Sequence, residues 1–222
     1  MTKSSCLRTF LFGVLLFVLS VQPVFAFDDV NLRNAIGFAF PDHTSEQALV
    51  TNRHFGRGAQ ILGVSAGATY GMRIFGSSER HHLLLGLITY GRIMRDVEGG
   101  RKWLRGNIEL CGELLGGNQF HPENDKLIGL AGHVRYNFVN ALPLVPFVDV
   151  GAGATLTEIS EPDLGGAFEL NLQAVAGLDY WLGQSTAMGL ELRYVHLSSA
   201  GIYSPNRGVN TAGLFISVKS LF

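Results

Sequence analysis

The chain is short of cysteine, of surplus charge and of long apolar runs, and each shortage removes a class of protein. It has two cysteines among 222 residues, Cys6 and Cys111. Cys6 lies in a leader expected to be removed, so one thiol is left and no disulfide can form within the mature chain. No cysteine cluster has zinc spacing. The histidines at 43, 54, 81, 82, 121 and 133 are scattered or paired in loops, so no metal site and no cofactor is expected. The formal net charge is −1, with no basic stretch that would draw the chain to nucleic acid.

Long hydrophobic segments are missing too. The only extended one, from Phe10 to Val21, follows Lys3 and Arg8 and precedes Val24-Phe25-Ala26. It is shorter than the ~20 residues a spanning helix needs. A basic start, an apolar middle and a small residue at the end read as a signal peptide over 1–26, with export to a Gram-negative envelope. Cys6 precedes the apolar run, so it is not a lipid-attachment cysteine at the cleavage site. Residues 27–58 carry no readable period and are taken as an N-terminal extension.

What the remainder has is alternation. From residue 59 to 222, apolar and polar residues exchange with period two, the mark of strands with two unlike faces. Strands are expected over 60–75, 82–94, 104–115, 127–138, 145–157 and 168–181, with a final pair within 190–222. A membrane protein without spanning helices must close its sheet, because lipid satisfies no open backbone group. The expected fold is therefore all-β, an eight-stranded antiparallel transmembrane barrel over 59–222. Charged residues fall on the face opposite the long apolar ones. Glu109, Glu113, Arg135, Asp149, Glu169, Asp179, Glu191 and Arg193 are expected to pair in a lumen packed by side chains. Aromatic residues such as Phe168 and Tyr180 bound the apolar stripes, as in the girdles of outer-membrane barrels. If both barrel ends start in the periplasm, 76–81, 116–126, 158–167 and 199–209 face outward. A soluble ligand-binding barrel, with the apolar face as its core, is the competing architecture.

The last two strands carry chemistry on their apolar faces. Leu190, Leu192, Tyr194, His196 and Ser198 share one face, and Asn210, Ala212, Leu214, Ile216, Val218 and Phe222 share the next. His196 and Ser198 are two strand rises apart, ~7 Å at the backbone, within reach of an imidazole–hydroxyl hydrogen bond. Histidine can take the serine proton while Oγ attacks a carbonyl. Asn210, on the neighbouring strand, can accept from the other ring nitrogen.

His196-Leu197-Ser198-Ser199-Ala200-Gly201, then Pro205-Asn206-Arg207-Gly208-Val209-Asn210 and the aromatic-ended last strand, resemble the PagL-type lipid A 3-O-deacylases. Pro146 to Gly153 and Pro162-Asp163-Leu164-Gly165-Gly166 are similar to the wider acyloxyacyl hydrolase-like barrels. The resemblance implies a serine esterase on the lipid-exposed wall of an outer-membrane barrel, removing a 3-hydroxyacyl chain from lipid A in lipopolysaccharide. By residue it implies His196 as base, Ser198 as nucleophile and Gly201 as a backbone donor to the oxyanion. Two positions depart from the family pattern. Asn210 stands where a glutamate is usual, and Ser199, kept with Gly201 as an oxyanion candidate, where an asparagine serves the oxyanion. Glu158, Glu161 and Asp163 are the acidic loop residues that could supply a carboxylate instead. A homodimer is left open, and a non-catalytic structural barrel is the alternative function.

Overall fold

The computed structural model describes residues 55–98, 104–139 and 143–222. The expected signal peptide, and the extension as far as residue 54, lie outside the described residues. Eight strands follow in order: β1 Gln60–Gly71, β2 His82–Ile93, β3 Gly106–His121, β4 Lys126–Phe138, β5 Leu144–Thr157, β6 Phe168–Trp181, β7 Thr186–Ser198 and β8 Val209–Leu221. Each pairs antiparallel with the next, and β8 pairs with β1, which closes the barrel. No helix among the described residues is long and apolar enough to cross a membrane.

The alternation sets which side chains point out. Leu130, Leu214, Ile216 and Val64 are 58% or more exposed, while their chain neighbours are buried. The apolar stripe is thus a wall rather than a core, and the soluble-barrel alternative, which needs it inside, does not hold. Outward leucine, isoleucine and valine recur on the strands all round the barrel, the surface that a bilayer would cover.

Two strands differ from their expected extents. β3 runs on to His121, so the connection to β4 shrinks to 122–125. Gly116 and Gly117 read as turn residues, but they sit in register opposite Gly86 and Leu85. There the Leu84 carbonyl comes so close that a Cβ on Gly117 would clash. β1 ends early, at Gly71, whose N–H donates to Nδ1 of His82 at 2.9 Å.

The lumen is layered. At the end where β1 starts and β8 finishes, Phe55, Ile61, Ile93, Val145, Trp181 and Leu221 form one buried apolar cluster. Phe55, assigned from sequence to the extension, meets Trp181 edge to face at 5.4 Å between centroids. Near the other end, Leu83, Leu85, Leu115, Leu127, Leu164, Val195 and Leu197 form a second. Between them lies an ionic layer. Arg193 Nη1 donates to Glu113 Oε2 at 2.7 Å and its Nη2 to Glu191 Oε2 at 3.2 Å. Asp149 accepts from Arg135 Nε at 3.1 Å and pairs with His133 Nδ1 at 2.7 Å. Lys219 Nζ sits 2.7 Å from Asp179 and 3.4 Å from Glu191, and stands 4.4 Å over the Phe147 ring. The charges of this layer are tolerated because they meet opposite charges and further hydrogen-bond partners, while Glu109 accepts from Asn137 Nδ2 at 3.0 Å. His133 and Lys219 also join this layer. Glu169 stands apart, with neither carboxylate oxygen hydrogen-bonded among the described residues.

Candidate active site

β7 and β8 pair with His196 opposite Asn210. Both residues point to the outer face, at the strand ends that enter the connection 199–208. Register and alternation alone thus bring three polar side chains together on the wall. Asn210 Oδ1 lies 2.8 Å from His196 Nδ1, and His196 Nε2 lies 3.1 Å from Ser198 Oγ. Asn210 is 1% exposed, and His196 and Ser198 are half-buried.

The proton positions follow from the partners. Asn210 Nδ2 donates to the Ile74 carbonyl at 3.0 Å and to Ser77 Oγ at 2.8 Å. That leaves Oδ1 facing His196, where it also accepts from the Tyr194 hydroxyl at 2.6 Å. The amide uses both its donors and both its lone pairs. An oxygen opposite Nδ1 requires the ring proton on Nδ1, so Nε2 is the bare nitrogen and accepts from the Ser198 hydroxyl. A neutral imidazole in that tautomer can take the serine proton as Oγ attacks.

Beyond Ser198 the chain turns sharply. Ile202 N–H donates to Ser199 O at 3.0 Å, and the central residues Ala200 and Gly201 have φ of 53° and 89°. Positive φ at both central positions makes this a type I′ turn. The Ala200 and Gly201 amides lie outside the turn's own hydrogen bond. Ser199 is placed differently from its expected role. Its N–H donates to Asn206 Oδ1 at 3.0 Å, its Oγ accepts from Tyr203 N–H at 3.2 Å, and its side chain is fully buried toward the lumen.

Asp163 and Glu158, two of the acidic loop residues, are engaged away from His196. Asp163 is fully buried and spends its carboxylate elsewhere. Oδ1 accepts from Ser78 N–H at 2.8 Å and Ser78 Oγ at 2.6 Å, and Oδ2 from Glu79 N–H at 3.0 Å and His81 Nε2 at 2.9 Å. Burial pushes this carboxyl up, but the hydrogen bonds from Ser78, Glu79 and His81 outweigh it and hold Asp163 below the usual aspartate range. Glu158 accepts from the Lys126 N–H.

Four contributors escaped the sequence argument: Tyr194, Ile74, Ser77 and Gly208. Tyr194 shares the His196 face and so was visible in the alternation. Gly208 has φ +80°, and a Cβ there would lie 2.9 Å from His196 Cε1. Ile74 and Ser77 belong to a distant connection and left no local signal. Among the described residues no group of three or more His, Cys, Asp or Glu is placed to hold a metal.

A family model described as lipid A 3-O-deacylase (PagL) matches residues 90–219, more than half of the chain. Lipid A deacylase PagL of Pseudomonas aeruginosa is 30% identical over 76 residues, which span 33% of this chain and 42% of that protein. The matched part is thus under half the length of that relative. The crystal structure of the outer membrane enzyme PagL superposes with a TM-score of 0.50 at 17% identity, covering 71% of this chain and 97% of that one. Neisserial surface protein A gives 0.56 at 15% identity, covering 75% and 100%. At these identities the two structures speak to the fold alone, an eight-stranded barrel of outer-membrane type.

Proposed function

This chain belongs to the lipid A 3-O-deacylase (PagL) family, and from that premise we propose that it is an outer-membrane serine esterase removing an ester-linked 3-hydroxyacyl chain from lipid A. The carrying observation is the relay from Asn210 through His196 to Ser198 on the apolar wall. Lipid A would meet that wall with its acyl chains along the strands and its ester near the strand ends.

In the first step Ser198 Oγ bonds to the ester carbonyl carbon and its proton passes to His196 Nε2. The carbonyl oxygen becomes an oxyanion, with the Gly201 N–H, and beside it that of Ala200, as the backbone donors. Such donors matter because they meet charge that develops only in the transition state. The C–O bond to the sugar then breaks, and Nε2 returns its proton to the departing sugar oxygen. An acyl group is left on Ser198. Water gives a proton to Nε2 and its oxygen to the acyl carbon, Ser198 takes the proton back, and a free 3-hydroxy fatty acid leaves. Throughout, Asn210 Oδ1 holds the Nδ1–H. Being neutral, it steadies the imidazolium less than a carboxylate does.

The test is expression in a Gram-negative outer membrane, with extracted lipid A weighed by mass spectrometry. The expected result is loss of one 3-hydroxyacyl unit, abolished by Ser198→Ala. Unchanged lipid A from a barrel shown to be folded in the membrane would rule out this substrate and leave the non-catalytic barrel.

A further inference from the structure

Asn210 differs from a carboxylate in that its two ends are unlike. One way round it offers His196 an oxygen, and the other way round an N–H, which Nδ1–H cannot bond. Something must choose between them. The Tyr194 hydroxyl does not, since it can accept as well as donate. Ile74 O can only accept. Ser77 Oγ also could do either, but its proton is committed to the Gly208 carbonyl, so it too presents a lone pair to Nδ2. Both groups lie in the connection 72–81, outside β7 and β8, and both choose the same orientation.

Met72 N–H, donating to the Asn210 carbonyl at 2.8 Å, anchors the start of 72–81, and the far part, with Ser77, rests against Gly208. Asp163, in the connection 158–167, ties the two together. Its carboxylate binds Ser78 and Glu79, the residues directly after Ser77. Its main-chain oxygen accepts from the Arg207 N–H at 2.9 Å and the Gly208 N–H at 3.2 Å. The strand-like bridge between Leu164 and Asn206 continues the contact. Gly165 lets the segment approach, since a Cβ there would lie 2.5 Å from the Ser204 carbonyl carbon.

We propose that Asp163 is a positioning residue: by clamping 72–81 to 207–208 it fixes the Asn210 amide with Oδ1 toward His196, and so sets the tautomer in which Nε2 is unprotonated and accepts from Ser198. This rests on the reading of His196, Ser198 and Asn210 given above. It also explains how an amide can stand where a symmetric carboxylate needs no such orientation.

Two variants test it, Asp163→Ala and Ser77→Ala, each in the full-length barrel in detergent or bilayer. Two readouts are taken: kcat and KM for ester release, and the His196 ring nitrogen signals by NMR under conditions where the imidazole is neutral. Wild type should show one tautomer, with Nδ1 protonated. Both variants should shift it toward a mixture and lower kcat by about 10–100-fold with KM little changed, the scale of a small misplacement of a catalytic group. If Asp163→Ala fails to fold, Ser77→Ala decides. Unchanged tautomer and kcat in a folded variant would overturn the proposal. The tautomer readout needs no turnover. A protein without esterase activity would therefore sink the function while the clamp could still stand or fall on its own.

Discussion

Gly208 shows how much of the proposed chemistry rests on a residue with no chemistry of its own. Its backbone has φ +80°, and it passes close under the imidazole of His196. A methyl group there would meet both a strained backbone and Cε1 at 2.9 Å. Gly208→Ala is expected to cost about 1 kcal/mol of stability and to lower ester release about 10²-fold. Denaturant titration and turnover on the same preparation separate the two effects. Wild-type turnover in the variant would show that the ring has room to move. At this scale the sequence was half legible. His196, Ser198 and Asn210 could be placed on one wall by alternation alone, because a strand's period carries facing information across many residues. The orientation of the Asn210 amide could not, since it depends on Ile74 O and Ser77 Oγ more than 130 positions away. Ser199, an oxyanion candidate because it follows Ser198, lies just past the end of β7 and is fully buried, with its N–H on Asn206 Oδ1.

Among the elements, the strands were the readable part and their pairings inside the lumen were not. β6 could be bounded from its alternation over 168–181, while the glycines at 116 and 117 hid the last turn of β3 inside what looks like a loop. The charged lumen residues declared their side but not their partners. Arg193 is the clearest case. Its guanidinium, 1% exposed, serves Glu113 and Glu191 from one position. Arg193→Met should destabilise the barrel by about 3–5 kcal/mol, because two buried carboxylates lose their shared cation. Adding Glu113→Gln and Glu191→Gln should recover much of that loss. Unfolding in lipid vesicles reads both. A single variant as stable as wild type would mean that water or Lys219 covers the carboxylates unaided. This layer is remote in function from the wall, so the triple variant is expected to keep the His196–Ser198 geometry.

At the level of the whole molecule, two surfaces divide the work. The outer one is apolar and carries His196, Ser198 and Asn210 at its rim. The inner one is ionic and close-packed, with Arg135, Asp149, Glu191 and Arg193 each no more than 4% exposed. Apolar clusters lie above and below that layer. A lumen in which the charged groups see so little solvent offers ions no path. Purified protein in planar bilayers should therefore give no single-channel steps at voltages where an open pore of comparable strand number conducts. Regular conductance steps would show that the ionic layer opens. The overall class was legible from the sequence, since a chain with persistent alternation and no apolar run of spanning length after residue 26 has few other ways to sit in lipid. How the lumen is filled was not, because packing depends on which residues meet across the barrel rather than along it.

The stopped lumen has a consequence for the cell that hosts the protein. The outer membrane is a permeability barrier, and most ways of placing a protein in it make a hole. Here His196 and Ser198 lie on the outer wall and the charged groups of the interior are buried. Such a barrel can be inserted in quantity without making the envelope leakier to antibiotics or ions, so, on the function proposed above, its abundance is free to follow the amount of lipid to be altered.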